Sequence, residues 1–208
     1  MKAETPFRVV LGVTGSISAY RAADLASLLT KEGVEVDVVL TREGSRFIPA
    51  LTLQTLSRRP VHVEDAVDPA SGRPTHIALA DDADLVLVAP ATANVLGAYA
   101  HGLAPDLLCS VLLAVPSAVP VVFAPAMNGK MWLHPAVQAN AKLLTQRGVK
   151  WIGPDRGLLA CGYEGIGRLW PVQHIFDEVR GLLASTRRAG KNGKVAAKAP
   201  SRISSRKV

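Results

Sequence analysis

Four runs of apolar, largely β-branched residues divide the chain: Phe7 to Val13, Val34 to Leu40, Leu85 to Ala89 and Val121 to Ala124. Apolar character continues through these runs with little polar alternation, which requires cover on both faces of a sheet. The segments between them carry helical spacing. Ala19 to Lys31 places Ala22, Leu25, Leu28 and Leu29 on one face, opens behind a Ser16 hydroxyl cap and stops at Gly33. Short helices are expected near Glu43 to Ile48 and Leu51 to Ser57, and a longer one over about Asn94 to Ala114. Another is expected over Pro135 to Arg147, with proline in its first turn. Lys150 to Ile152 reads as a fifth, short strand. Val172 to Ser185 reads as the last helix, with Val172, Ile175, Phe176, Val179, Leu182 and Leu183 on one face. Strands separated by helices of this length imply an α/β protein with a doubly wound, mainly parallel sheet covered on both sides.

At 208 residues, with 49% apolar and 20% charged residues, the chain has the size and composition of one soluble domain. No apolar run reaches the length of a membrane span, and Met1 to Arg8 has no apolar signal region, so a cytoplasmic location is expected. The net charge of +7 is unevenly placed. Eight Lys or Arg residues and no acid follow Thr186, and removing those eight leaves the body at −1. The expected organisation is therefore one folded domain over residues 1–186 and a basic tail over 187–208 with too little apolar content to fold. RNA-binding signatures and aromatic-basic interleaving are lacking, so nucleic acid is not an expected partner. His62, His101, His134 and His174 do not have metal-ligand spacing.

In open α/β sheets ligands sit beyond the carboxyl ends of the strands. Four unusual loops fall there: Gly12 to Ile17, Thr41 to Ser45, Pro90 to Asn94 and Pro125 to Trp132. The first joins a strand to a helix start, a place suited to phosphate. It is neither a Gly-x-Gly-x-x-Gly nor a P-loop sequence. The second strand ends in Thr41-Arg42, where a dinucleotide site usually carries an acid. Arg42 keeps an NADP reading open. Thr92 and Asn94 add a hydroxyl and an amide among small neighbours. Two hydroxyl-bearing loops and one phosphate-type turn favour a mononucleotide such as FMN. In Pro125 to Trp132 an amide, two thioethers and an indole suit a pocket that holds a flat ring.

Five motifs in order resemble the homo-oligomeric flavin-containing cysteine decarboxylases. They are Gly15-Ser16-Ile17, Thr75-His76-Ile77, Ala89-Pro90-Ala91-Thr92-Ala93-Asn94, Pro125 to Trp132, and Leu159-Ala160-Cys161-Gly162 with Gly165-Ile166-Gly167-Arg168. The resemblance implies a flavodoxin-like three-layer sandwich. It also implies FMN contacts at Gly15, Ser16, Ile17, Thr41, Thr92, Ala93, Asn94 and Ala126. His76, Asn128 and Cys161 fall on the family's catalytic positions, with His76 expected as acid/base, Asn128 as carboxylate binder and Cys161 as proton donor. Met131, Lys130 and Arg168 are further candidates for substrate contact. Taken singly, His76 would read as a helix cap, Asn128 as a loop-satisfying amide and Cys161 as inert packing. Glycines 157, 162, 165 and 167 around Cys161 fit a movable flap.

The Pro-Ala-Met-Asn and Ala-Cys-Gly pairing implies FMN-dependent decarboxylation of 4'-phospho-N-pantothenoylcysteine to 4'-phosphopantetheine in coenzyme A biosynthesis. A trimer or dodecamer with sites at subunit interfaces is implied, together with a separate phosphopantothenate-cysteine ligase. Two alternatives stay open: a relative acting on another cysteinyl or aromatic carboxylate, and a flavin-binding regulatory subunit that turns nothing over. The segment Gly167-Arg168-Leu169-Trp170-Pro171 departs from the family pattern, being one residue shorter and lacking an acid.

Overall fold

The computed structural model describes residues 5–68, 71–160 and 162–196, without side chains for 187–196. Six strands form one wholly parallel sheet: β1 (Arg8–Val13), β2 (Glu35–Leu40), β3 (Val61–His62), β4 (Leu85–Ala91), β5 (Val121–Pro125) and β6 (Lys150–Trp151). Their order is β3-β2-β1-β4-β5-β6. Without the two-residue edge strand β3, this is the flavodoxin-like order, which reverses between β1 and β4.

The four long strands are continuously apolar because each face meets its own core. On β1, Val9, Leu11 and Val13 join one cluster and Val10 the other. On β4 the division is Leu85, Leu87 and Ala89 against Val86, Val88 and Ala91. The first cluster is closed by α1 (Arg21–Lys31), α2 (Ala50–Ser57) and α8 (Val172–Ala196). The second is closed by α3 (Thr75–Asp82), α4 (Ala93–Ala100), α5 (Leu107–Ala114) and α7 (Pro135–Gln146). Gly12 lets α5 lie close to β1, since a Cβ there would stand 2.5 Å from the Leu108 side chain.

Several boundaries differ from expectation for local reasons. The helix expected over 94–114 is two, α4 and α5, because Gly102 takes a positive φ of 68° and Asp106 starts a new helix by accepting the Cys109 N–H at 2.8 Å. The helix expected at 43–48 is one 3-10 turn over Gly44–Arg46, and the segment after Ser16 opens as a 3-10 turn over Ile17–Tyr20. Helix α3 and strand β3 were not anticipated. Nor was the antiparallel hairpin of β7 (Asp155–Leu158) and β8 (Glu164–Arg168), which forms a separate two-stranded sheet. Helix α8 continues past Ser185 to Ala196, through the first part of the segment expected as an unfolded tail, while 197–208 lie outside the described residues. Among the described residues no helix is long and apolar enough to cross a membrane.

Candidate active site

Two clefts of about 670 and 660 Å³ open at the carboxyl end of the sheet and share Glu43, Thr92 and Asn94. Both volumes lie within the range of small-molecule and cofactor sites. Strand ends β1 and β4 hold them together across the switch point. The buried Thr14 hydroxyl donates to the Pro90 carbonyl at 2.6 Å and accepts the Thr92 N–H at 3.2 Å.

The 660 Å³ cleft gathers Gly15, Ser16, Ile17, Ala93, Asn94, Ala126, Asn128, Met131 and Arg168, which lie far apart in sequence. At Gly15 the turn after β1 abuts the turn after β2, so a Cβ would lie 2.6 Å from the Glu43 Cβ. Ser16 is extended, and its Oγ accepts the Ser18 N–H at 3.3 Å, starting the 3-10 turn. Thr92 occupies the cap position of α4 without making a side-chain cap bond. Sequence reasoning missed Ser18 and Tyr20, which also line this cleft; a serine two residues beyond Ser16 was the available signal.

Thr41 lines the 670 Å³ cleft, but its hydroxyl also serves the fold. It donates to the Val13 carbonyl at 3.2 Å and accepts the Gly44 N–H at 3.1 Å. Arg42 lines the same cleft as an exposed side chain 3.9 Å from Glu64.

The Pro125–Trp132 segment divides by role. Ala126 donates its N–H to the Ala91 carbonyl at 3.1 Å, closing β5 onto β4. Asn128 Oδ1 accepts the Lys130 N–H at 2.8 Å, capping a helical turn, α6 (Gly129–Trp132). Trp132 does not line the 660 Å³ cleft; its ring packs edgewise on Trp151, with centroids 6.3 Å apart, against the second core cluster. The indole expected to hold a ring is therefore packing. Lys130 is likewise absent from that cleft's lining.

His76 lies on α3, and its Nδ1 is 2.6 Å from Asp65 Oδ2, while its backbone N–H donates to Asp65 Oδ1 at 3.3 Å. Asp65 lines the 670 Å³ cleft, whereas His76 does not line the cleft that holds Asn128. Cys161 lies outside the described residues; its neighbour Ala160 lines the 660 Å³ cleft. Arg168 closes the far side and pairs with Asp155, whose carboxyl is held below its ordinary range by that hydrogen bond. Leu169 is buried and Trp170 packs against the first core cluster. The altered edge of the flap thus supports the base of the hairpin, and residues 169–171 do not line the cleft.

The donor set suits one anionic group and an uncharged polar ring. Hydroxyls of Ser16, Ser18 and Thr92 and the amides of Asn94 and Asn128 dominate it, with Arg168 the one cation among the described lining residues and Glu43 the one acid. A mononucleotide of the FMN kind fits this chemistry.

Residues 2–184 match the model of the Flavoprotein family. A probable phosphopantothenoylcysteine decarboxylase of Streptococcus mutans is 46% identical over 172 residues, covering 83% of this chain and 96% of that protein. The coenzyme A biosynthesis bifunctional protein CoaBC of Bacillus subtilis is 46% identical over 167 residues, covering 80% of this chain but 41% of its own length. Among solved structures, a cysteine-to-serine mutant of PPC decarboxylase complexed with pantothenoylaminoethenethiol superposes with a TM-score of 0.75 at 30% identity, covering 85% of this chain and 97% of that one. The FMN binding protein AtHal3 gives a TM-score of 0.75 at 30% identity, covering 87% and 98%. The chain belongs to the Flavoprotein family, among its flavin-containing cysteine decarboxylases.

Proposed function

We propose that this chain binds FMN and decarboxylates 4'-phospho-N-pantothenoylcysteine to 4'-phosphopantetheine, a carboxy-lyase step of coenzyme A biosynthesis. One observation carries the reading. A phosphate-type turn, the Thr92–Asn94 loop, Asn128 and the hairpin residues 158–160 line a single cleft. The relatives named for this activity match over most of the chain, and residues 169–171 line an adjoining cleft that shares Ser18, Tyr20 and Arg168 with this one.

Gly15 to Ser18 would take the FMN phosphate, and Thr92, Ala93, Asn94 and Ala126 would face the ring, with Thr41 at the adjoining cleft. Bound there, FMN would supply a two-electron acceptor that turns the thiol-bearing carbon into a C=S electron sink for loss of CO₂ and would return the same two electrons to the resulting enethiol, so that the reaction needs no outside oxidant or reductant. The protein then has three tasks. Asn128 holds the carboxylate through Nδ2, its Oδ1 being committed to the Lys130 N–H. A neutral donor suits this role, because a cation would hold the ground-state carboxylate too tightly for CO₂ to leave. His76 exchanges a proton at Nε2, since Asp65 engages Nδ1. Cys161 Sγ protonates the enethiol on the flap that follows Ala160.

His76 lies away from the Asn128 cleft, so the reading places the complete site between copies of the chain, in a trimer or dodecamer. Ile17, Tyr20, Met131 and Leu158 around the cleft are exposed by 59%, 51%, 48% and 65%, apolar surface that a second copy would cover. The same reading gives phosphopantothenate-cysteine ligation to a separate protein and places the decarboxylase in the cytoplasm. The decarboxylase unit is proposed as residues 1–186, with α8 running on beyond it to Ala196.

Purified protein is expected to be yellow, or to become so with FMN, and to convert the substrate to 4'-phosphopantetheine on mass spectrometry. Protein that stays colourless after reconstitution overturns the flavin assignment. Yellow protein that spares this substrate but decarboxylates a peptide C-terminal cysteine overturns the substrate.

A further inference from the structure

The hairpin meets the Asn128 loop at two places with different chemistry. At its base the contact is backbone on backbone. Met127 donates its N–H to the Gly167 carbonyl at 2.9 Å, and neither Gly129 nor Gly167 leaves room for a side chain. A Cβ on Gly129 would stand 2.6 Å from the Ile166 carbonyl oxygen, and one on Gly167, where φ is 133°, would stand 2.2 Å from that of Met127. At the tip there is a side-chain bond: the Tyr163 hydroxyl donates to Asn128 Oδ1 at 2.7 Å. Tyr163 immediately precedes β8, and its carbonyl accepts the Leu159 N–H at 2.9 Å.

Asn128 Oδ1 therefore accepts from two directions, the Lys130 N–H at 2.8 Å and Tyr163. Two donors on one end of an amide decide which end is oxygen and aim Nδ2 the other way. The first donor is present whenever the α6 turn is formed. The second comes from the other side, from the residue that precedes β8. We infer that Tyr163 is a positioning residue: its hydroxyl fixes the orientation of the Asn128 amide, so that the amide is pre-set for carboxylate recognition. This rests on the proposed role of Asn128, and it adds a residue that reaches the substrate only through that amide.

The test uses the flavin-loaded full chain and phosphopantothenoylserine, in which a hydroxyl replaces the oxidisable thiol, with Kd measured by calorimetry. Tyr163→Phe keeps the ring and removes one hydroxyl. It is expected to weaken binding about tenfold and to raise KM for the cysteinyl substrate by a similar factor. Flavin affinity, the visible spectrum and Tm should not change. Asn128→Ala should weaken analogue binding at least as much, and Tyr163→Phe added to it should bring no further loss, because the hydroxyl acts through that amide. Wild-type Kd in Tyr163→Phe beside a weakened Asn128→Ala overturns the inference alone. Additive losses in the double variant also overturn it. Wild-type binding by Asn128→Ala overturns instead the role given to Asn128.

Discussion

The two ends of the parallel sheet are built from opposite chemistry. At the amino end, charges are matched to charges. The nearly buried Asp37 accepts from Arg59 Nε at 2.7 Å and has Arg8 Nε at 3.7 Å, and Glu35 and Asp82 complete the network at 3.0 and 2.7 Å from Arg8. At the carboxyl end the strand tips carry hydroxyls, amides and glycines, and charged side chains such as Arg42, Glu64 and Asp65 in one cleft and Arg168 in the other stand among them. The difference separates structure from function. A satisfied ion network locks the termini of β1 and β2, whereas hydroxyls and amides supply most donors at the other end, where the Arg168 cation is already paired with Asp155.

Substitutions at either end sharpen that contrast. The largest effect is expected at the carboxyl end: Asn128→Asp should keep bound flavin yet lower kcat/KM by at least about 100-fold, since it places a carboxylate against a carboxylate. Steady-state kinetics on yellow protein would check this, and near-normal turnover would break the division of labour. At the amino end, Arg59→Ala strands the buried Asp37 carboxylate with the longer Arg8 contact. It should cost about 2 kcal/mol in urea unfolding and leave flavin affinity unchanged.

A smaller effect is expected at His62 on the sheet edge. Burial lowers its pKa, and Arg59 adds to this, while Asp37 and Asp68 oppose it. The unfolded chain then binds the proton more readily than the folded one. Stability is full above the ordinary histidine value of about 6.5 and is lost as pH falls from there towards the folded value. His62→Gln should flatten that acid limb, read as Tm against pH. The smallest effect concerns Cys109, whose thiol burial pushes up to about 12, with Asp106 adding to the shift. At neutral pH it should resist thiol reagents, so labelling mapped by mass spectrometry should fall on Cys161.

What could be read from sequence follows the same division. The core strands were legible because burial on both faces demands unbroken apolar runs such as Leu85–Val88. Ser16, Thr92, Asn94 and Asn128 were legible as chemistry placed at strand ends. The hairpin was not, because its burial alternates only weakly and its glycines serve close backbone contact rather than a visible strand pattern. Helix α3 is short, with Ala78 and Leu79 as its buried apolar anchors beside Ala80, too few to set a period. The Trp132 indole misled because core and pocket draw on the same aromatic residues, and only its edgewise contact with Trp151 decides between them. Tyr163 carried no signal, since its meaning lies in one bond to a residue 35 positions away.

The central claim is that the carboxyl end of this sheet removes a carboxyl group from a cysteinyl substrate with the help of bound FMN. Its most direct test is flavin-loaded protein incubated with 4'-phospho-N-pantothenoylcysteine labelled at the cysteinyl carboxyl carbon. The account predicts one labelled CO₂ released for each 4'-phosphopantetheine formed. Fully yellow protein that releases no labelled CO₂ while the substrate persists would contradict it.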